Sequence, residues 1–424
     1  MLTVESLKKT ESLLAGLLFF FLPTQLAYFF WPNWSYFWGI KIDFLSPTVF
    51  FTDVIILFLG LFWFLRLVTF SLKWSWEKPV WWPFWGTMSL LFINVLLAYR
   101  PLLAGYRLIK WGELIFLFIY FKHNFSPRFL LYLFFGLLIT ISLAWGQFLA
   151  QESLQGIFWW LGERFFNPST LGVAKMDLFS RLFVRPMATF SHPNSLAGFV
   201  LVSVAIFWQF KDFLVNRLGV FFYLGLIIIS TVLVITFSAA IWLTILITCL
   251  LFIARRLKRW WFWPMLVFGM IVLAYLINYF DLIESQSILE RLFLAHNAWR
   301  LFIRRPILGW GLGNFIPAQS ELLLSRGGFN FYQPVHNLFL LVLTEAGILG
   351  LAISLFWLKR LWSNIDNKWR MIVFLVIVSG FFDHYWLTLQ QNFLLLGLVS
   401  AIALSVSSYN GLEVGSPDKP SCFD

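Results

Sequence analysis

Charged side chains are scarce in this chain. They make up 12% of its 424 residues, where an ordinary soluble domain carries roughly 25%, and that deficit excludes a single soluble core. Cysteine is nearly missing: Cys249 falls inside an apolar run and Cys422 in the C-terminal stretch, so no disulfide framework is implied. Histidines stand only at positions 123, 192, 296, 336 and 384. None of these has a close ligand spacing such as H-x-x-x-H, and no metal site is expected. Acids are outnumbered, 20 against 31 Lys and Arg. The resulting +11 charge does not point to nucleic acid, because the basic residues gather in short connectors, as in ARRLKRWW near Arg255 and LKRLWSNIDNKWR near Lys359.

What fills the chain instead is apolar, 60% of all residues. Runs of about 20 such residues, each able to cross a hydrocarbon core of roughly 30 Å as a helix, recur from end to end. Hydropathy predicts an all-α polytopic membrane protein of about twelve spans. They fall near 12–31, 49–70, 80–99, 104–121, 129–150, 194–210, 217–236, 238–254, 260–280, 337–358, 370–386 and 389–407. The first reads as an uncleaved anchor. The whole of 1–424 reads as one integral membrane domain, with 408–424 a cytoplasmic tail. Connectors beginning near Ser71, Lys122, Lys211, Arg255 and Lys359 are all basic and therefore cytoplasmic. The opposite side holds few basic residues, chiefly Lys41, Arg100 and Arg107. Two long loops, 151–193 and 281–336, are thereby external. They are rich in aromatics and arginine, so they are expected to be ordered, with short helices, over the outer face. No internal repeat is visible.

The polar residues of these loops are the candidates for chemistry. RPMATFSHPNSLAGF, starting at Arg185, sets Arg185, His192 and Asn194 among greasy flanks, with Asn194 a plausible N-cap. In the second loop a helix from Arg291 to Arg305 is expected to stop at Pro306. At 100° per residue, His296, Asn297, Arg300 and Arg304 share one stripe. Arg291 lies opposite, among Ala295, Ala298 and Phe302. An arginine there either snorkels to the interface or meets an anion. Gly309, Gly311 and Gly313 alternate, a pattern that opens backbone N–H groups to a phosphate or sugar, or simply makes a tight turn. His336, at the point of re-entry into the membrane, is either a proton acceptor or a structural hydrogen-bonder. Asp383-His384 is the one adjacent acid–histidine pair. Among acids within spans, Asp53, Glu113 and Glu345 are candidates by default, with Glu113 suited to pair with Lys110 at i,i+3.

Taken together, RPMATFSHPNSLAGF, RRPILGWGLGNF, PVHNLFLLVLTEAGILGL and the late FFDHYWLTLQQNFLLLGL resemble the O-antigen ligase/polymerase superfamily. The likeness covers roughly 160–400, and the first spans only in pattern. Ala188 stands where that superfamily usually has glycine, and Ala239 where arginine often follows the serine. The resemblance implies a C-type glycosyltransferase fold without cofactor or metal. It implies an undecaprenyl-pyrophosphate-linked glycan as donor, a lipid or protein hydroxyl as acceptor, and a site on the external face of the bacterial cytoplasmic membrane. It also implies that Arg185 and Arg291 are the functional arginines and His336 the functional histidine. Arg304, Arg305, His192, Asn194, Gly311, Gly313, Asn314 and Asn337 are expected around the substrate. A ligase is preferred to a polymerase. A secondary transporter would instead show inverted repeats and broken midplane helices, and neither is evident.

Overall fold

The computed structural model describes residues 3–37, 39–70, 81–178, 181–254, 285–324 and 332–413. Helices dominate, and most begin or end at signals the chain carries locally. Helix α1 (Val4–Phe21) opens on a capping box between Thr3 and Ser6 and closes just before Pro23, which cannot continue a helix hydrogen-bond ladder. It therefore ends well short of the expected residue 31. Helices α2 (Phe51–Thr69), α3 (Trp81–Leu96), α4 (Pro101–Asn124) and α5 (Phe129–Ala150) follow. Next come α6 (Pro193–Gln209), α7 (Lys211–Leu218), α8 (Val220–Ile235) and α9 (Ala239–Ala254). The later helices are α10 (Ser285–Arg304), α11 (Phe315–Leu324), α12 (Leu338–Ser363), α13 (Asn367–Phe382), the single turn α14 (Tyr385–Thr388) and α15 (Gln390–Glu413).

Among the described residues, four of these helices are long and apolar enough to cross a membrane. The number rises to six if the bent pairs α6–α7 and α8–α9, with bends of 83° and 118°, each count as one span. Helices α1, α3, α4 and α13 also fall near expected spans. However, α3 and α13 have 16 residues each, and α1 and α4 carry several charges. The expected span at 260–280, the start of the second loop and most of the tail at 408–424 lie outside the described residues.

The chain is not purely helical. Antiparallel ribbons pair β1 (Ala27–Phe29) with β4 (Thr48–Phe50) and β2 (Tyr36–Phe37) with β3 (Ile40–Lys41). A third ribbon, β5 (Lys175–Leu178) with β6 (Arg181–Val184), lies in the first long loop. That loop holds a 3-10 turn at Gly156–Leu161 and this ribbon, in place of the short α-helices expected. Its order comes from below. The Gln147 side chain of α5 accepts the N–H groups of Met187 (3.2 Å) and Ala188 (2.7 Å) and donates to Glu163 at 2.8 Å. Glu163 in turn accepts from the backbones of Leu154 and Gln155.

The main core joins α1, α5, α6, α8, α13 and α15 through side chains such as Phe19, Phe134, Phe199, Phe207 and Trp369, all nearly or fully buried. Helix α4 packs along α15. Buried charges tie the bundle internally: Arg66 Nε reaches Glu11 at 2.6 Å. Lys110 pairs first with Asp53 and reaches Glu113 only at 3.3 Å. The sequence-based pairing of Lys110 with Glu113 is thus secondary, because α2 brings a closer carboxylate to the ammonium.

Candidate active site

The chain meets itself at Asn194. His192 caps α6 with Nδ1 accepting from the Asn194 N–H at 3.1 Å, and Pro193 occupies the first turn. The expected N-cap is therefore displaced by two residues, and the Asn194 side chain is free for tertiary contacts. Its Oδ1 accepts from Arg185 Nη2 (2.8 Å) and from Ser238 Oγ (3.0 Å), while Nδ2 donates to Asp383 Oδ2 at 3.1 Å. Asp383 closes α13, and its other oxygen faces His336 Nδ1 at 3.4 Å. Arg291 donates from Nη1 to the carbonyl of the neighbouring Phe382 at 2.8 Å. Arg185 and His336 thus come from separate segments to one buried amide and one buried carboxylate, and Arg291 from a third to the carbonyl next to that carboxylate.

The floor of this cluster is a backbone break. Helix α8 stops at Ile235, Phe237 adopts a φ of 46°, and α9 starts at Ala239. The freed carbonyl of Thr236 accepts from Arg185 Nε at 2.8 Å. A break of this kind is tolerated in an apolar surrounding only where side chains satisfy the freed backbone. Arg185 does so at Thr236, and Trp242 Nε1 does so by donating to the Leu233 carbonyl at 2.7 Å.

Electrostatics define the character of the site. Burial, with Arg291 beside it, lowers Arg185 to about 10; a second cation nearby disfavours the charged form. Burial alone would raise Asp383. The hydrogen bond and charge of His336, with His384 and Arg291 nearby, hold it well below the usual carboxylate range. Burial and the adjacent Arg185 push His192 down to about 3, so His192 stays neutral and does not take up a second proton near neutral pH. Two arginines and one carboxylate leave an excess of positive charge in this cluster, which suits a polyanion.

The remaining predicted residues divide by location. Asn337 caps α12, accepting from Leu340 N–H at 2.9 Å and donating to the Phe381 carbonyl at 3.0 Å. The three glycines at 309, 311 and 313 all have positive φ, but all three N–H groups are taken: Gly313 donates to Glu345 Oε2 and Gly311 to the Glu345 carbonyl, both at 2.9 Å, and Gly309 to the Arg305 carbonyl at 3.1 Å. The turn docks on α12 in place of presenting these amides to a ligand. Asn314 is fully buried and bonded to the Arg100 backbone (2.7 Å) and to the Leu312 carbonyl. Arg304 and Arg305 are exposed at the end of α10, with Arg305 stacked 4.3 Å from the Trp310 ring. Within α10, Arg291 does lie on the inward face with Leu294, Ala298 and Leu301. Asn297 is buried there too, whereas His296 is exposed, so the polar stripe is narrower than periodicity suggested.

Sequence reasoning missed the connecting groups. Asp383 was visible only as the partner of His384. The His336–Asp383 contact spans 47 residues and leaves no trace in local spacing. The Thr236 and Phe382 carbonyls have no side-chain signature at all.

The residues from 224 to 355 match the family model described as O-antigen ligase. The matched stretch runs from α8 into α12 and includes Arg291 and His336; Arg185 precedes it. No curated protein matches the chain.

Proposed function

We propose, from the match of residues 224–355 to the O-antigen ligase family model, that the chain is a membrane glycosyltransferase of the ligase type. Its donor is a glycan on an undecaprenyl-pyrophosphate carrier, and its acceptor is a hydroxyl on a lipid or protein. The reaction takes place at the external face of the bacterial cytoplasmic membrane. The observation that carries this reading is the meeting of Arg185 and His336 on the Asn194–Asp383 pair, with Arg291 on the neighbouring Phe382 carbonyl.

In this reading His336 takes the proton of the acceptor hydroxyl on Nε2, while Nδ1–H is held by Asp383. The acceptor oxygen then bonds to the anomeric carbon as the bond from that carbon to the pyrophosphate oxygen breaks. The electron pair leaves with the pyrophosphate. Arg185 and Arg291 stabilise that growing charge, since arginine forks match phosphate oxygens in paired hydrogen bonds. Asp383 is a positioning residue, fixing the tautomer of the base. His192 and Asn194 hold the geometry, and Arg304 and Arg305 meet the glycan or lipid headgroups from the exposed end of α10. No step calls for a metal ion.

Transfer from a purified lipid-linked glycan in nanodiscs tests the proposal. His336→Ala abolishes transfer while donor binding persists, and a chelator does not lower the wild-type rate. Near-normal transfer by His336→Ala sinks the assignment. So does chelator-sensitive activity restored by a divalent ion.

A further inference from the structure

His384 has no part in that mechanism, yet it is 5% exposed and its ring lies 5.2 Å from that of His336. Its tautomer can be read from its partners. Thr388 Oγ1 lies 2.7 Å from His384 Nδ1 and also 3.2 Å from the His384 carbonyl. The hydroxyl has one hydrogen. If it goes to the carbonyl, Nδ1–H fills the oxygen's lone pair and both contacts are satisfied. If it goes to Nδ1, the carbonyl contact is lost and the proton on Nε2 faces Asp383 Oδ1 at 3.9 Å, too far for a hydrogen bond. The first arrangement satisfies more groups, so His384 carries its proton on Nδ1 and turns a bare Nε2 lone pair towards Asp383.

That lone pair, the Asp383 carboxylate and one nitrogen of His336 all lie within 4.8 Å of one another. His336 Nδ1 is 3.4 Å and His384 Nε2 is 3.9 Å from the same carboxylate oxygen. Ligands about 2.0–2.1 Å from a tetrahedral zinc ion stand roughly 3.3 Å apart, so a small inward movement completes three corners. A histidine whose other nitrogen is fixed by a hydroxyl resembles the outer-sphere support common at such sites. The charges of Arg185 and Arg291 oppose a dication here, so binding is weaker than at a structural zinc site.

We propose that His336, Asp383 and His384 form a site for a zinc-like transition-metal ion, and that its occupation switches transfer off. The inhibition, though not the binding, rests on His336 being the base. To ligate through Nδ1, His336 gives up the proton on that nitrogen and carries its proton on Nε2 instead. The lone pair that would accept the hydroxyl proton is then gone.

Binding is tested apart from catalysis by titrating the purified full chain with Co²⁺ and following its ligand-field absorption, then displacing it with Zn²⁺. Wild type gives a tetrahedral-type spectrum at one equivalent. Thr388→Val, which leaves all three ligands in place, weakens binding about 10–100-fold, and His384→Ala abolishes the spectrum. The exposed His296→Ala binds as wild type. Absence of the spectrum, or its survival in His384→Ala, overturns the site. In the transfer assay, Zn²⁺ inhibits wild type and a chelator reverses this, while His384→Ala loses zinc sensitivity relative to its own zinc-free rate. Metal binding without inhibition overturns the switch alone and counts against His336 as base; chelator-dependent loss of transfer counts against the metal-free mechanism.

Discussion

Lysine keeps the charge of arginine but not its fork, and at Arg185 the fork is in use. Nε holds the Thr236 carbonyl and Nη2 holds Asn194, two directions that a single ammonium cannot serve from the same stem. Arg185→Lys and Arg291→Lys are each expected to lower transfer about ten- to a hundredfold. That corresponds to roughly 1.5–3 kcal/mol per charge-assisted contact, expressed in the transition state. Initial rates at saturating donor measure it, and unchanged rates in both variants would return the arginines to anchoring roles. Asp383→Asn keeps shape but removes the charge that faces His336. It is expected to lower kcat strongly while the donor still binds; a fall in binding alone would mean the carboxylate only holds α13 in place. Residue type in the sequence left structural roles open for Arg291 and His336; the resemblance to the superfamily is what nominated both arginines and His336. Residue type was not enough for Asp383, because the reason for that carboxylate lies on another segment.

At the scale of elements, the second loop is pinned to the bundle by a break in α12. Glu345 caps the glycine turn from within that helix. Two residues on, Gly347 leaves helical geometry with φ of 66°. A β-carbon at Gly347 would lie 2.2 Å from the Ile307 carbonyl oxygen. Gly347→Ala therefore combines left-handed strain of roughly 1–2 kcal/mol with a backbone collision. The expected result is a lower melting temperature in detergent together with loss of transfer, as the α10–α11 turn lifts from α12. A variant as stable and as active as wild type would show that this docking does not matter to the site. Ala188 offers the reverse case. It holds a φ of 51°, the conformation that glycine adopts without strain, at the position where the resembling superfamily usually has glycine. The alternation of glycines and the unusual Ala188 were both legible in the sequence. That the glycine amides would be spent on Glu345 was not, since a turn and an anion cradle use the same residues.

For the molecule as a whole, a half-buried histidine, His192, and a buried one, His384, set a pH limit. Burial pushes His192 and His384 down to about 3 from 6.5. In the folded protein they remain neutral across that interval, while the unfolded chain takes up protons. Stability is thus complete above about 6.5 and falls as pH drops towards about 3, by up to roughly 1.4 kcal/mol per pH unit for each histidine. Melting curves in detergent over a pH series check this, and a flat profile through the window would contradict it. Topology is the other global expectation. The basic connectors on one side put both long loops outside, so cysteines introduced at Ser169 and Glu321, both exposed, label with an impermeant reagent from outside. Labelling only after the membrane is opened would reverse the orientation.

Membrane character, helix-rich architecture and the places of four to six apolar spans follow from the sequence alone, because a hydrocarbon solvent leaves an apolar run few structures other than a helix. The arginines and the histidine stand out against phenylalanine and leucine because charge is costly there, but it was the motifs around them, through the family they resemble, that gave them roles. What only the tertiary structure decided is which groups meet. The broken helices whose freed Thr236 carbonyl meets Arg185, and the Asn194–Asp383 bridge, depend on contacts between distant segments. Hydrogen bonds across such separations are chosen by packing, and packing has no period that a chain can display in one dimension.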